Sequence, residues 1–515
     1  RKICRRGEVT GEPDSESRQV DGYVCITGAN IDRKHDERVF FVQGQDEIRH
    51  PLTPTLRRNW GELIRNYRTT HEQALADRER RGQRPDEYLG REPGQTAWSR
   101  HVYEPDEDHL TDGCLCYAAL GLEGEVAALY PVMISRRLFA VSPEQLLDQS
   151  LLPAYWNDRL SPADRVFGWV RQTDDRRMKQ RPDVDEKVAG VKAYRGNVRV
   201  GPVTCESPDA IERFGEPGLP LAILGQPKEQ QARFYVAASP NGEAQTDGLS
   251  KEEAGYEQGK GLRGRKVYPH HRSLPEDHWT EPITDRPRTP DGGHFREYRR
   301  SPLNGQDRDN QNRSIHGWVK PSKTFAFDLH VTNLSPVELG ALLWLLMLDE
   351  VENQGKPPEQ RRQHFHRLGG GKPLGFGSVR LEIDKPYTHL HDGNGWKQFY
   401  STLDPCSPPE VDREAAIASF QKAVIAAYGP NQAFDDVSFI KAFLRMAEGF
   451  ADILPIHYPR ARQQGQRDPV PPHPEGLAYQ WFVANERTGG TNPGPQACLS
   501  DLAGDRGLPM PEAPG

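Results

Sequence analysis

The sequence predicts an α+β chain on a ferredoxin-like (RRM-type) plan, with an antiparallel sheet, a glycine-rich loop and large insertions. Three observations carry this expectation. The order strand, apolar helix, glycine-rich loop, strand over residues 323–383 is half of a ferredoxin-like unit. Short alternating segments bounded by turn residues recur upstream of it. Hydrophobic residues make up 35% of the 515, mean hydropathy is −0.79, and 44 prolines and 48 glycines punctuate the chain. Such a composition orders a core but not every connection, so long polar insertions are expected around a folded centre.

From the N-terminus, Tyr23–Thr27 and Arg38–Val42 read as two strands joined by a polar turn. Residues 54–90 are charged and helix-permissive without a broad apolar face, which predicts a solvated helix. Residues 114–141 read as strand, turn and strand with "LEGE" at the bend, and 193–205 alternate as a strand should. Residues 238–260 (Ser, Gly, Glu, Gln) and 286–315 (almost no aliphatics) are expected to be disordered insertions. Between them lies the basic stretch "KGLRGRKVYPHHR" (260–272).

Order returns at 323. "TFAFDLHVTNL" reads as a strand and "SPVELGALLWLLMLDE" (335–350) as a helix, with Ser335 as N-cap, Pro336 first and Glu338 closing a capping box. That helix is apolar on nearly every face, which predicts burial against a sheet. Residues 413–453 read as helices, and the last forty as loops ending in a frayed Pro/Gly tail. The expected organisation is an N-terminal β-rich region over 1–150, the RRM-like core over 151–400 and a helical extension over 401–515.

A net charge of −7 argues against general affinity for nucleic acid, so any such binding must be local. Seven cysteines are odd in number and scattered. The pair Cys114-x-Cys116 lacks zinc spacing, so reduced thiols without metal are expected, and no cofactor is called for. No apolar run reaches the length of a membrane span, which predicts a soluble cytoplasmic chain with no membrane partner. The chain opens on Arg1 rather than Met, so a truncated start is expected.

The glycine stretch "HFHRLGGGKPLGFGSVRLEI" (364–383) poses the functional question. A dinucleotide fingerprint needs a strand before its glycines and a helix after them, and here a strand follows. A P-loop needs Gly-Lys-Ser/Thr, and Lys372 has no hydroxyl neighbour after it. What remains is a loop whose bare amides at Gly369, Gly370, Gly371, Gly375 and Gly377 can approach a phosphate backbone. Arg367, Lys372 and Arg380 would supply charge, and Phe376 a ring for a base to stack on. The competing reading is a glycine hairpin packed tightly against the helix.

These segments closely resemble the C-terminal half of the RAMP (repeat-associated mysterious protein) superfamily of CRISPR-associated proteins, whose hallmark is a glycine-rich loop before the last strand. "LSPADRVFGWV" (160–170) followed by "AYRGNVRVGPV" (193–203) looks like that superfamily's "FG" motif and the strand after it. The two motifs stand in the right order, and the resemblance spans roughly 160–385. Large inserts point to the long, type III-like subfamily. An early "IPGSSLRG"-type motif has no counterpart here, so no catalytic acid can be carried over. The resemblance implies an RRM-like RAMP fold and a subunit of an antiviral effector complex that binds crRNA and possibly target RNA beside other CRISPR subunits. An endoribonuclease acting on crRNA precursor or target RNA is the alternative, and an RNA-free scaffold a third.

Other candidates weigh differently. Asp164 and Arg165 read as caps anchoring a turn that holds Phe167 and Gly168 in the core, with an active-site pair as the alternative. Arg263, Arg265 and Lys266 with Tyr268, flanked by Lys260 and Arg272, suggest a second RNA surface or a protected strand edge. His270 and His271 invite a general-base role, but neighbours on a strand face opposite ways and no partner acid can be named. His364 and His366 lack a third ligand and read as loop histidines.

Overall fold

The computed structural model describes residues 22–25, 38–41, 49–85, 100–104, 108–111, 114, 116–121, 124–131, 141–148, 151–154, 159–171, 192–216, 218–222, 224, 231–264, 266–272, 274, 278–279, 298, 314–402, 407–450, 456, 458–462, 465, 480–487, 493–504 and 506–513. The chain divides into two units, Arg1–Ala140 and Val141–Gly515. Both mix helices with small antiparallel strand pairs, an α+β composition. Among the described residues no helix is long and apolar enough to cross a membrane.

In the first unit, β1 (Gly22–Cys25) pairs antiparallel with β2 (Arg38–Phe41), Tyr23 facing Phe40. The polar turn expected between them lies outside the described residues. Helix α1 (Pro54–Arg80) starts where the Thr53 hydroxyl accepts from the Leu56 amide at 3.2 Å and Pro54 needs no partner for a missing N–H. The solvated helix expected here needs correction. Leu56, Trp60, Leu63 and Ile64 form a buried stripe at helical spacing, and Trp60 meets His101 of α2 (Arg100–Tyr103) edge-on at 5.6 Å. The apolar stripe is short, confined to the first three turns. β3 (Cys116–Leu120) and β4 (Val126–Pro131) form the expected hairpin, closed by Gly121 N–H donating to the Glu125 carbonyl at 2.8 Å.

In the second unit, α3 (Pro162–Phe167) opens on a Ser161–Asp164 capping box and runs into β5 (Trp169–Val170), which pairs with β6 (Ala193–Tyr194). The strand expected over 193–205 is interrupted before β7 (Val198–Val200). At the break Gly196 lies against the Phe167–Gly168 peptide, where a Cβ would stand 2.6 Å from the Phe167 carbonyl carbon. Short pairs follow: β8 (Ile211–Arg213) with β13 (Gly317–Val319), β9 (Leu219–Pro220) with β12 (Ser314–Ile315), β10 (Val236–Ala237) with β11 (Gly261–Leu262), and β7 with β14 (Leu329–Val331).

Helix α4 (Pro336–Leu346) has the capping box its sequence predicts: Glu338 N–H donates to Ser335 Oγ at 3.3 Å and Ser335 N–H to Glu338 Oε2 at 2.8 Å. Its burial partner differs from the expected sheet. Leu343, Trp344, Met347 and Leu348, the last in α5 (Leu348–Glu352), pack with α7 (Arg413–Tyr428) and α8 (Ser438–Glu448). A Cβ on Gly340 would lie 2.0 Å from the Ala416 carbonyl, so this glycine sets how closely α4 and α7 cross. The segment between these core helices contains α6 (Gly393–Thr402), and α9 (Trp481–Asn485) lies near the C-terminus.

Two further expectations are corrected. Residues 238–260 are ordered: Gln245, Ala254 and Tyr256 are buried, and Lys260 Nζ reaches Gln245 Oε1 at 3.2 Å and the Gly255 carbonyl at 3.3 Å. A polar composition orders here because its polar groups satisfy one another. The Pro/Gly tail is tied down rather than frayed up to Ala513, with Trp481 Nε1 donating to the Pro509 carbonyl at 2.7 Å and residue 512 bridging to Arg462. The 286–315 insertion falls outside the described residues except Tyr298, Ser314 and Ile315.

Candidate nucleic-acid interface at the glycine hairpin

The glycine stretch is a tight hairpin between β15 (His366–Arg367) and β16 (Ser378–Val379). A single 3-10 turn, Lys372–Leu374, lies in its tip. The hairpin hangs on α4 through His366 Nε2, which donates to the Leu345 carbonyl at 2.9 Å. His364, just ahead of it, is buried with its amide donating to Asp349 Oδ1 at 2.9 Å. Among the described residues no group of three metal-ligating side chains occurs.

The five glycines separate into two kinds. Gly371, Gly375 and Gly377 are bare because neighbours lie against them. A Cβ would stand 2.5 Å from Phe376 Cδ2 at Gly371, 3.3 Å from Trp279 Cη2 at Gly375 and 1.8 Å from the Leu368 carbonyl at Gly377. Gly369 and Gly370 are exposed and open, with nothing within 4 Å of a Cβ. Gly369 and Gly371 take φ of +75° and +71° on either side of Gly370. Among the described residues, the amides of Gly369, Gly370, Gly371 and Lys372 donate to no protein group. Successive free N–H groups around left-handed residues form a concavity that suits an anion. The Lys372 side chain is exposed beside it, with no ion-pair partner among the described residues.

The other predicted site residues are placed unevenly. Arg367 is half-buried and braces the loop from within: it donates to the Lys372 carbonyl at 2.9 Å and to the Ser378 hydroxyl. Burial lowers its pKa to about 10. Arg380 is exposed and paired with Glu382 at 2.8 Å. Phe376 packs among Trp279, Tyr298 and Trp318, its centroid 5.1 Å from Trp279 and 5.7 Å from Trp318, rather than standing free.

The basic stretch is mostly drawn inward. Lys266 Nζ sits 5.7–5.9 Å from the ring centres of Phe234, Tyr268 and Tyr458, and burial lowers its pKa. Tyr268 is half-buried and its pKa is raised by the same burial. Arg263 donates to the Leu499 carbonyl, its pKa lowered by burial against an opposing pull from Asp501. Arg265 lies outside the described residues. Lys260 is engaged as above, and Arg272 pairs with Glu448 at 3.1 Å.

The tertiary structure does bring the end of this stretch to the hairpin. His270 Nδ1 lies 2.8 Å from Ser378 Oγ, its ring stacks on Phe365 at 4.2 Å, and its amide donates to the Met446 carbonyl. Burial, then the charges of Arg367 and Arg272, push its pKa down to about 4. A neutral imidazole therefore shares a hydrogen bond with the Ser378 hydroxyl, while Arg367 donates to the same oxygen. This closes a chain from His270 through Ser378 and Arg367 to the Lys372 carbonyl. Such a histidine is a weak general base near neutrality. Sequence reading missed Ser378 and Trp279, since nothing local marks them; contact with His270 marks the first, and contact with Phe376 and Gly375 of the hairpin marks the second.

The "FG" motif also differs from expectation. Asp164 caps α3 as expected, but Phe167 is 72% exposed and Val166 takes the buried place. Gly168 is needed for its φ of +97° and for the close approach of Gly196. Arg165 Nε donates to Glu338 Oε1 at 2.7 Å, joining the last turn of α3 to the capping box of α4. Burial raises the Glu338 pKa, but the Ser335 and Arg165 bonds outweigh it and leave it lowered.

No known protein-family model matches the chain, and no curated protein matches it.

Proposed function

We propose that this chain is a RAMP-type subunit that binds the sugar–phosphate backbone of a guide RNA (crRNA) within a cytoplasmic, RNA-guided antiviral complex of type III kind. The observation that carries the reading is the run of four uncommitted amides at Gly369–Lys372 beside the exposed Lys372. On this reading β14, α4 and the glycine hairpin form the second half of an RRM-like unit, and other effector subunits flank it. The Arg367–Ser378–His270 chain holds the loop in its binding shape, so little ordering remains to be done when RNA arrives. The endoribonuclease alternative is weakened by the low His270 pKa. The scaffold alternative draws on the packing of Gly371, Gly375 and Gly377, which leaves Gly369 and Gly370 unexplained.

The test is single-stranded RNA binding measured across salt for wild type, Lys372→Ala and Gly370→Asp. Wild-type affinity is expected to fall steeply with salt, and Lys372→Ala to lower the log–log slope by about 0.7, one phosphate's share on a single strand. Gly370→Asp places a carboxylate in the amide concavity and is expected to weaken binding at least about tenfold while leaving the fold intact. Salt-independent binding, or none, would sink the reading.

A further inference from the structure

Helix α6 and its lead-in carry a second feature that the glycine hairpin does not explain. Trp396 and Tyr400, four residues apart, share one helix face and stack with centroids 5.8 Å apart and planes 24° from parallel. They remain 41% and 69% exposed, and Tyr387 in the lead-in is 83% exposed. Water-exposed rings of this size are costly to hold in register, yet these are held. Asp392 closes the first turn, its Oδ1 accepting from Gly395 N–H at 2.7 Å and its carbonyl from Trp396 N–H at 3.1 Å. His391 Nδ1 donates to the Pro409 carbonyl at 3.1 Å and sets its ring edge-on to Trp396, 5.6 Å between centres. Gly395 is buried, with a Cβ position 3.0 Å from that same carbonyl, so the helix start is seated against 409. The outer ring of the stack is left open.

The chemistry of the patch selects its occupant. Its exposed apolar residues are flat aromatic rings, each with a polar edge, and exposed aliphatics do not accompany them between 385 and 402. Lys397, the next residue along the helix, is exposed and has no ion-pair partner among the described residues, whereas Asp392 Oδ1 is engaged at the helix start. A parallel stack with one open face and a neighbouring cation fits a planar, electron-rich ring joined to an anion, which is a nucleotide. The lead-in is fixed to the same helical core as the glycine hairpin, since Ile383 and Leu390 pack on the α4 cluster and His366 hangs the hairpin on α4. From these observations we infer that Trp396 and Tyr400 form a stacking platform for an unpaired base of the single-stranded RNA whose backbone the glycine hairpin holds. This rests on the RNA-binding reading above and adds a base-contacting site that is indifferent to sequence.

The experiment compares wild type, Trp396→Ala/Tyr400→Ala, Tyr400→Phe and Lys372→Ala, each with two probes: a short mixed-sequence single-stranded RNA carrying 5-iodouridine, and an abasic oligomer of the same charge. The double aromatic variant is expected to weaken binding of the base-bearing RNA by between about fivefold and about a hundredfold. It should leave binding of the abasic oligomer unchanged, and Tyr400→Phe should behave as wild type. Lys372→Ala should weaken both probes, and irradiation of wild type should attach the iodouridine within 396–400. The inference is overturned, with the backbone site left standing, if the double variant holds the base-bearing RNA as tightly as wild type and no crosslink maps to α6. It is likewise overturned if that variant instead sheds a co-purifying protein at unchanged RNA affinity. If wild type binds neither probe, both proposals fall together.

Discussion

Acidification from pH 7 to pH 5 is expected to cost the fold about 2 kcal/mol through His270 alone. The imidazole is enclosed by Phe365, the Ser378 hydroxyl and the nearby Arg367 and Arg272, which lower its pKa from 6.5 to about 4. Between those values the unfolded chain binds the proton and the folded one refuses it, so the unfolded state gains as pH falls and stability drops. Well below pH 4 both states are protonated and the loss levels off; well above pH 6.5 both are neutral and the term vanishes. At pH 5 the unfolded histidine is almost fully charged and the folded one about a tenth charged, which integrates to the figure above. The assay is urea denaturation followed by tryptophan fluorescence at pH 7, 6 and 5, for wild type and His270→Gln. The glutamine side chain of that variant does not titrate, so subtracting the two curves removes the carboxylates common to both. The wild-type advantage should shrink by about 2 kcal/mol over that range. Parallel curves would refute the enclosure of His270 and with it the chain of bonds that stiffens the glycine loop.

Three further expectations test the fold around the hairpin. Gly377→Ala, at φ +75° and 1.8 Å from the Leu368 carbonyl, should destabilise by about 2 kcal/mol or more, whereas Gly370→Ala in open space should change stability by less than about 0.5 kcal/mol; thermal melts compare them. Glu338→Ala removes a capping box and the Arg165 pair together, and should cost about 2 kcal/mol in chemical denaturation, more than Arg165→Ala, whose side chain is 44% exposed. Leu343→Ala opens the α4 core and should cost about 2–5 kcal/mol, read by the same assay.

Sequence reading and structure agree on the helix caps and on the 116–131 hairpin. Ser335 and Glu338 cap α4 because their spacing lets each reach the other's amide, whatever else the chain does. The 116–131 hairpin follows from alternation around a glycine-bearing bend. The run of glycines predicted bare backbone, and the backbone is bare. What each glycine is for was not legible, because that depends on what lies across from it. Trp279 and Phe376 account for Gly375 and Gly371, and solvent for Gly369 and Gly370. The same holds for side chains whose chemistry admits two environments. Lys266 is as suited to a phosphate as to three aromatic rings, and Phe167 is apolar yet exposed. Residues 238–260 have a disordered composition, but Lys260 and the buried Gln245 close the polar groups on one another.

Sequence by itself determined the capped helices, the 116–131 hairpin and the glycine positions where the chain is free of side chains, since these depend on contacts a few residues apart. Tertiary structure alone decided that α4 buries against helices, that 266–272 meets the glycine hairpin through His270 and Ser378, and which hairpin amides are left without a protein acceptor among the described residues. Those outcomes turn on contacts between residues about a hundred positions apart, where burial and pairing outweigh anything the local pattern expresses.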